Sequence, residues 1–345
     1  MRTKCTHAAG VDGWFARSEP VRSLAARSMA SAAPELSVVI PVYNEEEVLP
    51  ALFARLYPAL DALGRHYEIV FVNDGSRDRS AALLSAQFEL RPDVTRVVLF
   101  SSNFGQHRAI LAGFAHSHGR YVITLDADLQ NPPEEIGRVL AELQAGHDYV
   151  GTIRIERQDV AWRRYASRLV NAVRERTTRV KITDQGSMFR GYGRSVVDAV
   201  NLCSEYNTFV PALAYTFSMH PTEIRVAHEE RGAGKSKYSL FSLVRLNFDL
   251  MTGFSTAPMR LFSGIGIAIA LLSVLFVLYL LVRRFVVGPE AEGVFTLFAI
   301  AFFLLGVALF GVGLLGEYVG RIYDEVRQRP RYIVGTVLER REEPK

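Results

Sequence analysis

An acidic motif ends the last apolar strand of a predicted series: Leu125-Asp126-Ala127-Asp128-Leu129-Gln130-Asn131-Pro132-Pro133. The apolar run that leads into it begins at Tyr121 and predicts a buried strand. In extended backbone, side chains two residues apart point to the same side, so Asp126 and Asp128 would converge. Two carboxylates at that range repel each other unless a cation lies between them, and oxygen ligands suit Mg²⁺ or Mn²⁺. The alternative interpretation is a solvated loop after a strand.

Alternating strands and helices precede the acidic motif. The runs 36–42, 67–72, 94–100 and 121–125 predict strands, and the stretches 48–63, 78–88 and 106–116 predict helices. This alternation is typical of an α/β fold with a mostly parallel, Rossmann-like sheet covered on both faces. Ligands bind such sheets beyond the carboxyl ends of the strands, where residues 41–45, residues 73–76 and the acidic motif all lie. No G-x-G-x-x-G follows the first strand, which argues against a dinucleotide enzyme.

Two long apolar runs lie in the C-terminal part of the chain. Residues 261–282 and 294–315 contain no charged side chain, and each is long enough as a helix to cross a bilayer core of about 30 Å. They explain why 49% of the residues are hydrophobic and why the mean hydropathy is positive, at +0.11. The amphipathic stretch 239–260 predicts an interfacial helix on the membrane surface, and residues 316–345 predict a polar tail.

The charge and the cysteine content narrow the class of protein. The formal net charge is +4, with basic clusters near the apolar runs, which favours an anionic lipid surface over nucleic acid as a partner. Cys5 and Cys203 are far apart and predict no disulfide framework, which fits a reducing cytosol. Residues 1–34 are rich in Arg, Ala and Ser without an apolar segment. They predict a disordered extension rather than a signal peptide, ahead of an α/β domain over 35–238.

Basic segments follow the acidic motif. A strand is predicted over 149–153, and a helix with several arginines over 162–178. Residues 229–238 predict a polar loop with two glycines and several basic side chains. A solvated surface is the alternative interpretation of both basic segments. Three histidines, His107, His116 and His118, have no carboxylate partner or ligand spacing in the sequence, so we expect structural roles for them.

Together these motifs resemble one family. The stretches that carry the resemblance are Asn103-Phe104-Gly105-Gln106-His107, residues 125–136, Gly151-Thr152-Ile153-Arg154, Arg157-Gln158-Asp159 and residues 314–334. From Leu36 to Val337 the chain is similar to the inverting, metal-dependent glycosyltransferases of family 2, which have the GT-A fold and use a polyprenyl phosphate acceptor. It looks most like members that transfer 4-deoxy-4-formamido-L-arabinose from UDP to undecaprenyl phosphate for lipid A modification. One departure is Asn73, where many relatives have a second aspartate before Asp74.

The resemblance implies a UDP-sugar donor and a divalent cation, Mg²⁺ or Mn²⁺. The residues implied at the nucleotide sugar are Pro41, Tyr43, Glu45, Asp74, Asp126, Arg231, Lys235 and Lys237, and those implied at the metal are Asp126, Asp128 and Gln130. Carboxylates such as Glu45 and Asp74 can accept hydrogen bonds from uracil or ribose. The metal would act as a Lewis acid on the departing UDP. Alternatively, Asp74 only makes a turn, Glu45 only favours a helix N-terminus, and the basic loop is solvated.

The acceptor implied by the resemblance is a phosphomonoester, undecaprenyl phosphate. Its second pKa is about 6, so it is largely ionised at neutral pH and has less need of a general base than a sugar hydroxyl. The implied catalytic residues are Asp128, Asp184, Arg154 and Arg164, with the two arginines holding the acceptor phosphate. Asp184 occupies the place of a relative's proposed base, and the ionised acceptor leaves that role open.

The implied location is the bacterial inner membrane, crossed twice, with the catalytic domain and the C-terminus in the cytoplasm. A homo-oligomer is left open. The alternatives are a polyprenyl-phosphate glucosyl- or other hexosyltransferase, a non-catalytic membrane scaffold or transporter component, and a soluble polysaccharide synthase. The membrane runs contain no ionisable group that would mark a transport path. A soluble synthase has no use for two membrane helices.

Overall fold

A computed structural model describes residues 33–154, 181–203, 209–229, 257–287, 294–327 and 329–340. The strands are β1 (Leu36–Val42), β2 (Tyr67–Asn73), β3 (Thr95–Phe100), β4 (Tyr121–Thr124), β5 (Tyr149–Arg154), β6 (Arg190–Gly193), β7 (Pro221–Val226) and β8 (Val334–Leu338). The helices are α1 (Leu49–Asp61), α2 (Ser80–Leu90), α3 (Gln106–Ala115), α4 (Ile136–Gln144), α5 (Arg194–Leu202), α6 (Val210–Phe217), α7 (Ala257–Val287) and α8 (Val294–Val326), and a 3₁₀ turn spans Pro133–Glu135.

Within the described residues these strands form one 8-stranded sheet in the order β7-β5-β6-β4-β1-β2-β3-β8. The central strands β4, β1, β2 and β3 are parallel. On one side, β6 is antiparallel to both β4 and β5, and β7 is parallel to β5. On the other side, β8 is antiparallel to β3. The parallel centre brings the carboxyl ends of β1, β2 and β4 to one edge of the sheet, where α/β proteins bind their ligands.

The core lies on both faces of the sheet. Along β1, Val38 and Ile40 pack with residues of α1, α2 and α4, whereas Val39 between them packs with residues of α3, α5 and α6. This alternation follows from the pleat, which points successive side chains to opposite faces. Every residue of β1 is buried, so the strand reads as a continuous apolar run, as strands covered on both faces do.

The predicted GT-A-type α/β architecture is confirmed. The first four predicted strands and first three predicted helices are present, and each end lies within two residues of its sequence-based bound. One difference matters for the site, because β4 ends at Thr124 and leaves Leu125 and the acidic motif in a loop. The sequence does not predict β6, β7, β8, α5 or α6.

The C-terminal strand β8 is the main departure from the predicted polar tail. It pairs with β3, and the Ser101 N–H donates to the Ile333 carbonyl at 3.1 Å just before the strand. Tyr332 stacks on Phe100 with ring centroids 5.0 Å apart and an interplanar angle of 13°. Part of the segment that follows the apolar runs is therefore built into the edge of the α/β domain.

Two long helices cover the predicted membrane runs. Residues 261–282 lie within α7, and residues 294–315 lie within α8. In the part of the chain that the structure describes, one helix, Ile300–Val326, is long and apolar enough to cross a membrane, with a mean hydropathy of 2.2, and Met259–Ile269 is a shorter apolar stretch. The two helices touch where Phe262 lies against Phe310, with ring centroids 5.8 Å apart.

Several predicted segments lie outside the described residues. They are the N-terminal extension up to residue 32, the basic helix 162–178, the loop 230–238 and the interfacial stretch 239–256. Residues 257–260, which were predicted as part of the interfacial stretch, belong to α7.

Candidate active site

The acidic motif sits in a loop at the carboxyl edge of the sheet. Leu129 has a positive φ of 58°, a left-handed conformation that is uncommon for a bulky side chain. The Gln130 N–H donates to Asp128 Oδ1 at 3.1 Å, which closes a local turn. Asp126 and Asp128 are close enough to interact electrostatically, as predicted, but a turn brings them together rather than the extended backbone that the prediction assumed.

The environment of Asp126 disfavours its negative charge. Burial, together with the neighbouring charge of Asp128, raises the pKa of Asp126 to about 7. A hydrogen bond opposes this shift, since Gln106 Nε2 donates to Asp126 Oδ1 at 2.7 Å. Two carboxylates and the amide oxygen of Gln130 are hard oxygen donors of the kind that Mg²⁺ and Mn²⁺ prefer. The residues therefore fit a divalent cation, whose charge would offset the repulsion.

Arg154 and Asp184 form one bidentate ion pair. Arg154 Nε donates to Asp184 Oδ2 at 2.7 Å, and Nη2 donates to Oδ1 at 2.8 Å. Asp184 is 7% exposed, and its Oδ1 also accepts the Gly186 N–H at 3.1 Å. The hydrogen bonds of Asp184 raise the pKa of Arg154, and the charges of Asp126 and Asp128 act in the same direction. Arg154, which was predicted to hold the acceptor phosphate, thus lies together with Asp184, which occupies the place of a relative's proposed base, beside the acidic motif.

A buried arginine supports the loop that carries Asp184. Arg190 of β6 is fully buried, and its guanidinium donates to the Ser187 carbonyl at 2.9 Å and to the Asp184 carbonyl. It also donates to the Tyr149 hydroxyl at 2.5 Å. A buried charge is costly unless its hydrogen bonds are made, so these contacts fix the backbone of the loop. Arg190 was not predicted, because a single arginine in a sequence gives no sign of complete burial.

Asp74 is tied to the start of α3. Its carboxylate accepts from the Phe104 N–H at 2.7 Å, the Gly105 N–H at 2.9 Å and Asn103 Nδ2 at 3.0 Å. Burial raises the pKa of Asp74, and the backbone bonds oppose that shift. These contacts favour a turn-forming role, which was one of the two interpretations of Asp74.

Gly75 explains why the loop after β2 comes so close to residues 102–103. Its φ is +64°, and a Cβ there would meet the backbone carbonyl carbon of Ser102 at 2.3 Å. Only glycine fits this approach without a shift of backbone.

The other predicted nucleotide residues surround the same edge. Pro41 is buried in β1, Tyr43 is 43% exposed, and the Glu45 N–H donates to Ser80 Oγ at 2.9 Å. They lie at the carboxyl end of β1, beside the ends of β2 and β4. Four predicted site residues, Arg164, Arg231, Lys235 and Lys237, lie outside the described residues.

Two histidines flank the site. The His228 pKa is lowered by burial and by the charge of Arg154, whereas the charges of Asp128 and Asp184 oppose this shift, which places His228 beside the acidic motif. It was not predicted, because its neighbours are distant in sequence. Burial also lowers the pKa of His107 to about 4, and its ring meets that of Phe209 edge-on at 5.1 Å. A neutral, packed His107 fits the structural role expected for it.

Comparisons with known proteins cover both parts of the chain. The family described as "Glycosyl transferase family 2" matches residues 37–200, and "GtrB C-terminal hairpin" matches residues 257–322. Among solved structures, the chain is similar to glucosyl-3-phosphoglycerate synthase from Mycobacterium tuberculosis (TM-score 0.46, 16% identity, covering 64% of this chain and 78% of that one). Another is a mannosyltransferase from Pyrobaculum calidifontis in complex with GDP-Man and Mn²⁺ (TM-score 0.41, 14% identity, 82% and 88%).

Curated relatives match over a longer span. A protein from Pseudomonas aeruginosa named undecaprenyl-phosphate 4-deoxy-4-formamido-L-arabinose transferase is 53% identical over 305 residues, which is 88% of this chain and 90% of the relative. Proteins of the same name from Shewanella sediminis and Klebsiella pneumoniae are 50% and 49% identical, again over 88% of this chain, and over 92% and 94% of their own lengths. The chain therefore belongs to the glycosyltransferase family 2 enzymes named undecaprenyl-phosphate 4-deoxy-4-formamido-L-arabinose transferases.

Proposed function

We propose that this chain transfers 4-deoxy-4-formamido-L-arabinose from UDP to undecaprenyl phosphate, with inversion at the anomeric carbon. The observation that carries the proposal is the 49–53% identity to transferases of that name over 88% of the chain, a span that includes both the α/β domain and the long C-terminal helices. The geometry is compatible with this transfer, since the carboxylates of Asp126 and Asp128 and the Arg154–Asp184 ion pair meet at one edge of the sheet. A scaffold or transporter component would have no use for this constellation.

The metal would be held by Asp126, Asp128 and Gln130. When bound, a divalent cation offsets the charge that develops on the departing diphosphate. Asp126 accepts from Gln106, and Asp128 accepts from the Gln130 N–H, so the chain holds both carboxylates before any ligand arrives. Pro41, Tyr43 and Glu45 border the same edge and would face the uridine, with Arg231, Lys235 and Lys237 as further contacts to the diphosphate.

Arg154 would orient the acceptor phosphate, with Arg164 as a second contact. Asp184 takes two of the five guanidinium N–H donors of Arg154, which fixes the plane of the group. In the transfer, a phosphate oxygen forms a bond to the anomeric carbon, and the bond from that carbon to the UDP oxygen breaks with its electron pair. The phosphate is already ionised near neutral pH, so the step needs no proton acceptor. Asp184 therefore acts as a positioning group rather than a base.

We also propose two membrane crossings, with the α/β domain and the C-terminus in the cytoplasm. The pairing of β8 with β3 requires that the chain return to the side of the α/β domain after α8. Crossings by α7 and α8 satisfy this requirement, whereas a single crossing does not. The arginines after the second apolar run, Arg321, Arg327, Arg329 and Arg331, favour the cytoplasmic side.

Asp128→Ala is expected to lower kcat by about 10³-fold or more, because metal stabilisation of the transition state is worth several kcal/mol. UDP release from purified protein with undecaprenyl phosphate measures the loss, and excess chelator should reproduce it in the wild type. Asp198→Ala is the matched control, since Asp198 is an exposed aspartate on α5 away from the sheet edge. Full turnover of the wild type in chelator would contradict metal dependence.

Arg154→Ala is expected to raise KM for undecaprenyl phosphate by about 10–100-fold, since a hydrogen bond to a charged group contributes about 1.5–3 kcal/mol. Asp184→Asn should raise the same KM and leave the shape of the pH profile of kcat unchanged. Arg138→Ala, in an exposed arginine of α4, serves as the control. If Asp184→Asn abolishes kcat at unchanged KM, Asp184 is a base after all.

A tag placed at Lys345 and a labelled cysteine in the α/β domain should both be protected from impermeant reagents in intact cells. Both should react once the inner membrane is opened. A tag that reacts from the periplasmic side would exclude the proposed pair of crossings.

The donor preference tests the function itself. We expect UDP-4-deoxy-4-formamido-L-arabinose to exceed UDP-glucose in kcat/KM by about 10⁴-fold, because a site built to hydrogen-bond a substrate group rejects an analogue that lacks it. The assay varies each donor at fixed undecaprenyl phosphate and identifies the lipid product by mass. Equal or better use of UDP-glucose would make the chain a polyprenyl-phosphate hexosyltransferase instead.

A further inference from the structure

Arg55 of α1 joins two carboxylates with a single guanidinium group. Its Nε and Nη2 donate to Glu134 at 3.0 and 2.9 Å, and its Nη1 and Nη2 donate to Glu229 at 2.9 and 3.0 Å. Each partner is thus held by a planar two-bond fork, which fixes orientation as well as distance. The bonds from Arg55 lower the pKa of both Glu134 and Glu229, so all three side chains are charged near neutral pH. We call these three residues the Arg55 clamp.

Both arms of this clamp reach the loop that carries Asp128. Glu134 lies in the 3₁₀ turn that ends the loop. Glu229 follows β7, and its own N–H donates to the Gln130 carbonyl at 2.9 Å. Arg55 therefore contacts the end of the loop directly, at Glu134. It contacts the middle of the loop indirectly, through Glu229.

The loop needs such outside support because its backbone is strained. Leu129 lies between Asp128 and Gln130 with φ at +58°, and a left-handed conformation costs a non-glycine residue about 1–3 kcal/mol. It persists only where the surroundings impose it. Leu129 packs against the core, and Gln130 is bonded through both its N–H and its carbonyl. The Gln106–Asp126 hydrogen bond restrains the start of the loop, and the Arg55 clamp adds a restraint at its middle and its end.

The Arg55 clamp fixes the geometry of the loop and adds little to the stability of the fold. The side chains of Arg55, Glu134 and Glu229 are 33%, 53% and 49% exposed. Ion pairs at such exposure contribute about 0–1 kcal/mol each to the free energy of unfolding. Removing Arg55 should therefore leave the fold intact while the loop loses a restraint.

We propose that Arg55 is a positioning residue, which holds the 126–134 loop in the conformation that presents Asp126, Asp128 and Gln130 to a divalent cation. The inference rests on the proposed metal-assisted transfer. It assigns a role at this site to a helix that contributes no side chain to the predicted ligand set.

The test uses the full-length protein in detergent with Arg55→Ala, Arg55→Lys and the control Arg91→Ala. Arg91 has the same 33% exposure and a bidentate contact to Asp61, but it lies beside Tyr67 at the opposite, amino end of β2. Mn²⁺ binding in the presence of UDP is measured by electron paramagnetic resonance of the free ion. Melting temperature and the Mn²⁺ dependence of kcat are measured on the same samples.

Arg55→Ala should weaken Mn²⁺ binding and lower kcat by about 10–100-fold, the range typical when a group that orients metal ligands is lost. Arg55→Lys should recover only part of this, since lysine cannot form two forks. Arg91→Ala should match the wild type in both measurements, and all variants should melt alike. Adding Glu229→Gln to Arg55→Ala should cause little further loss, because both changes break one network.

Three results would overturn the proposal, and they differ in what else they imply. If the wild type binds Mn²⁺ and Arg55→Ala binds it equally well, the positioning role is wrong and the proposed transfer stands. If the wild type neither binds Mn²⁺ nor requires a divalent cation, the metal site itself is wrong. A loss in Arg91→Ala equal to that in Arg55→Ala would assign the effect to general stability.

Discussion

Two carboxylates held close together at the edge of a buried sheet repel each other, and the structure around them compensates. Burial and the charge of Asp128 raise the pKa of Asp126 to about 7, while Gln106 donates a hydrogen bond to the same carboxylate. Arg154 contributes positive charge nearby, and its own orientation depends on Asp184. The loop, the start of α3 and the end of β5 thus all surround the repulsion between Asp126 and Asp128. A bound cation would offset what remains of that repulsion.

The centre of the sheet could be predicted from sequence because its strands consist mostly of apolar residues. β1 and β2 are buried at every position, so their signal does not depend on knowing their neighbours. β6 contains a buried arginine and two glycines, and β7 is half exposed with Thr, Glu and Arg along it. These strands form because they pair with β5 and, in the case of β6, also with β4. Such pairing depends on the tertiary structure and leaves no periodic pattern in the local sequence.

The sequence predicts which residues belong to the site better than it predicts the contacts between them. The nearness of Asp126 and Asp128 agrees with their spacing, although a turn at residues 127–128 produces it rather than extended backbone. The pairing of Arg154 with Asp184 depends on where the loop after residue 180 lies against β5, and no local pattern encodes that. Asp74 shows the converse case. Its carboxylate could bind a nucleotide, but in the structure it accepts hydrogen bonds from three donors of residues 103–105.

The position of β8 has a consequence for how the chain is made. β3 is complete once residue 100 has been synthesised, but its partner β8 begins at residue 334, after both long helices. An unpaired strand edge is a site for wrong pairing, and pairing across so long a separation in sequence is slow. During synthesis the α/β domain therefore cannot close this edge with its own strand until α7 and α8 have left the ribosome. The last step in closing this edge of the sheet therefore follows the synthesis of both long apolar helices.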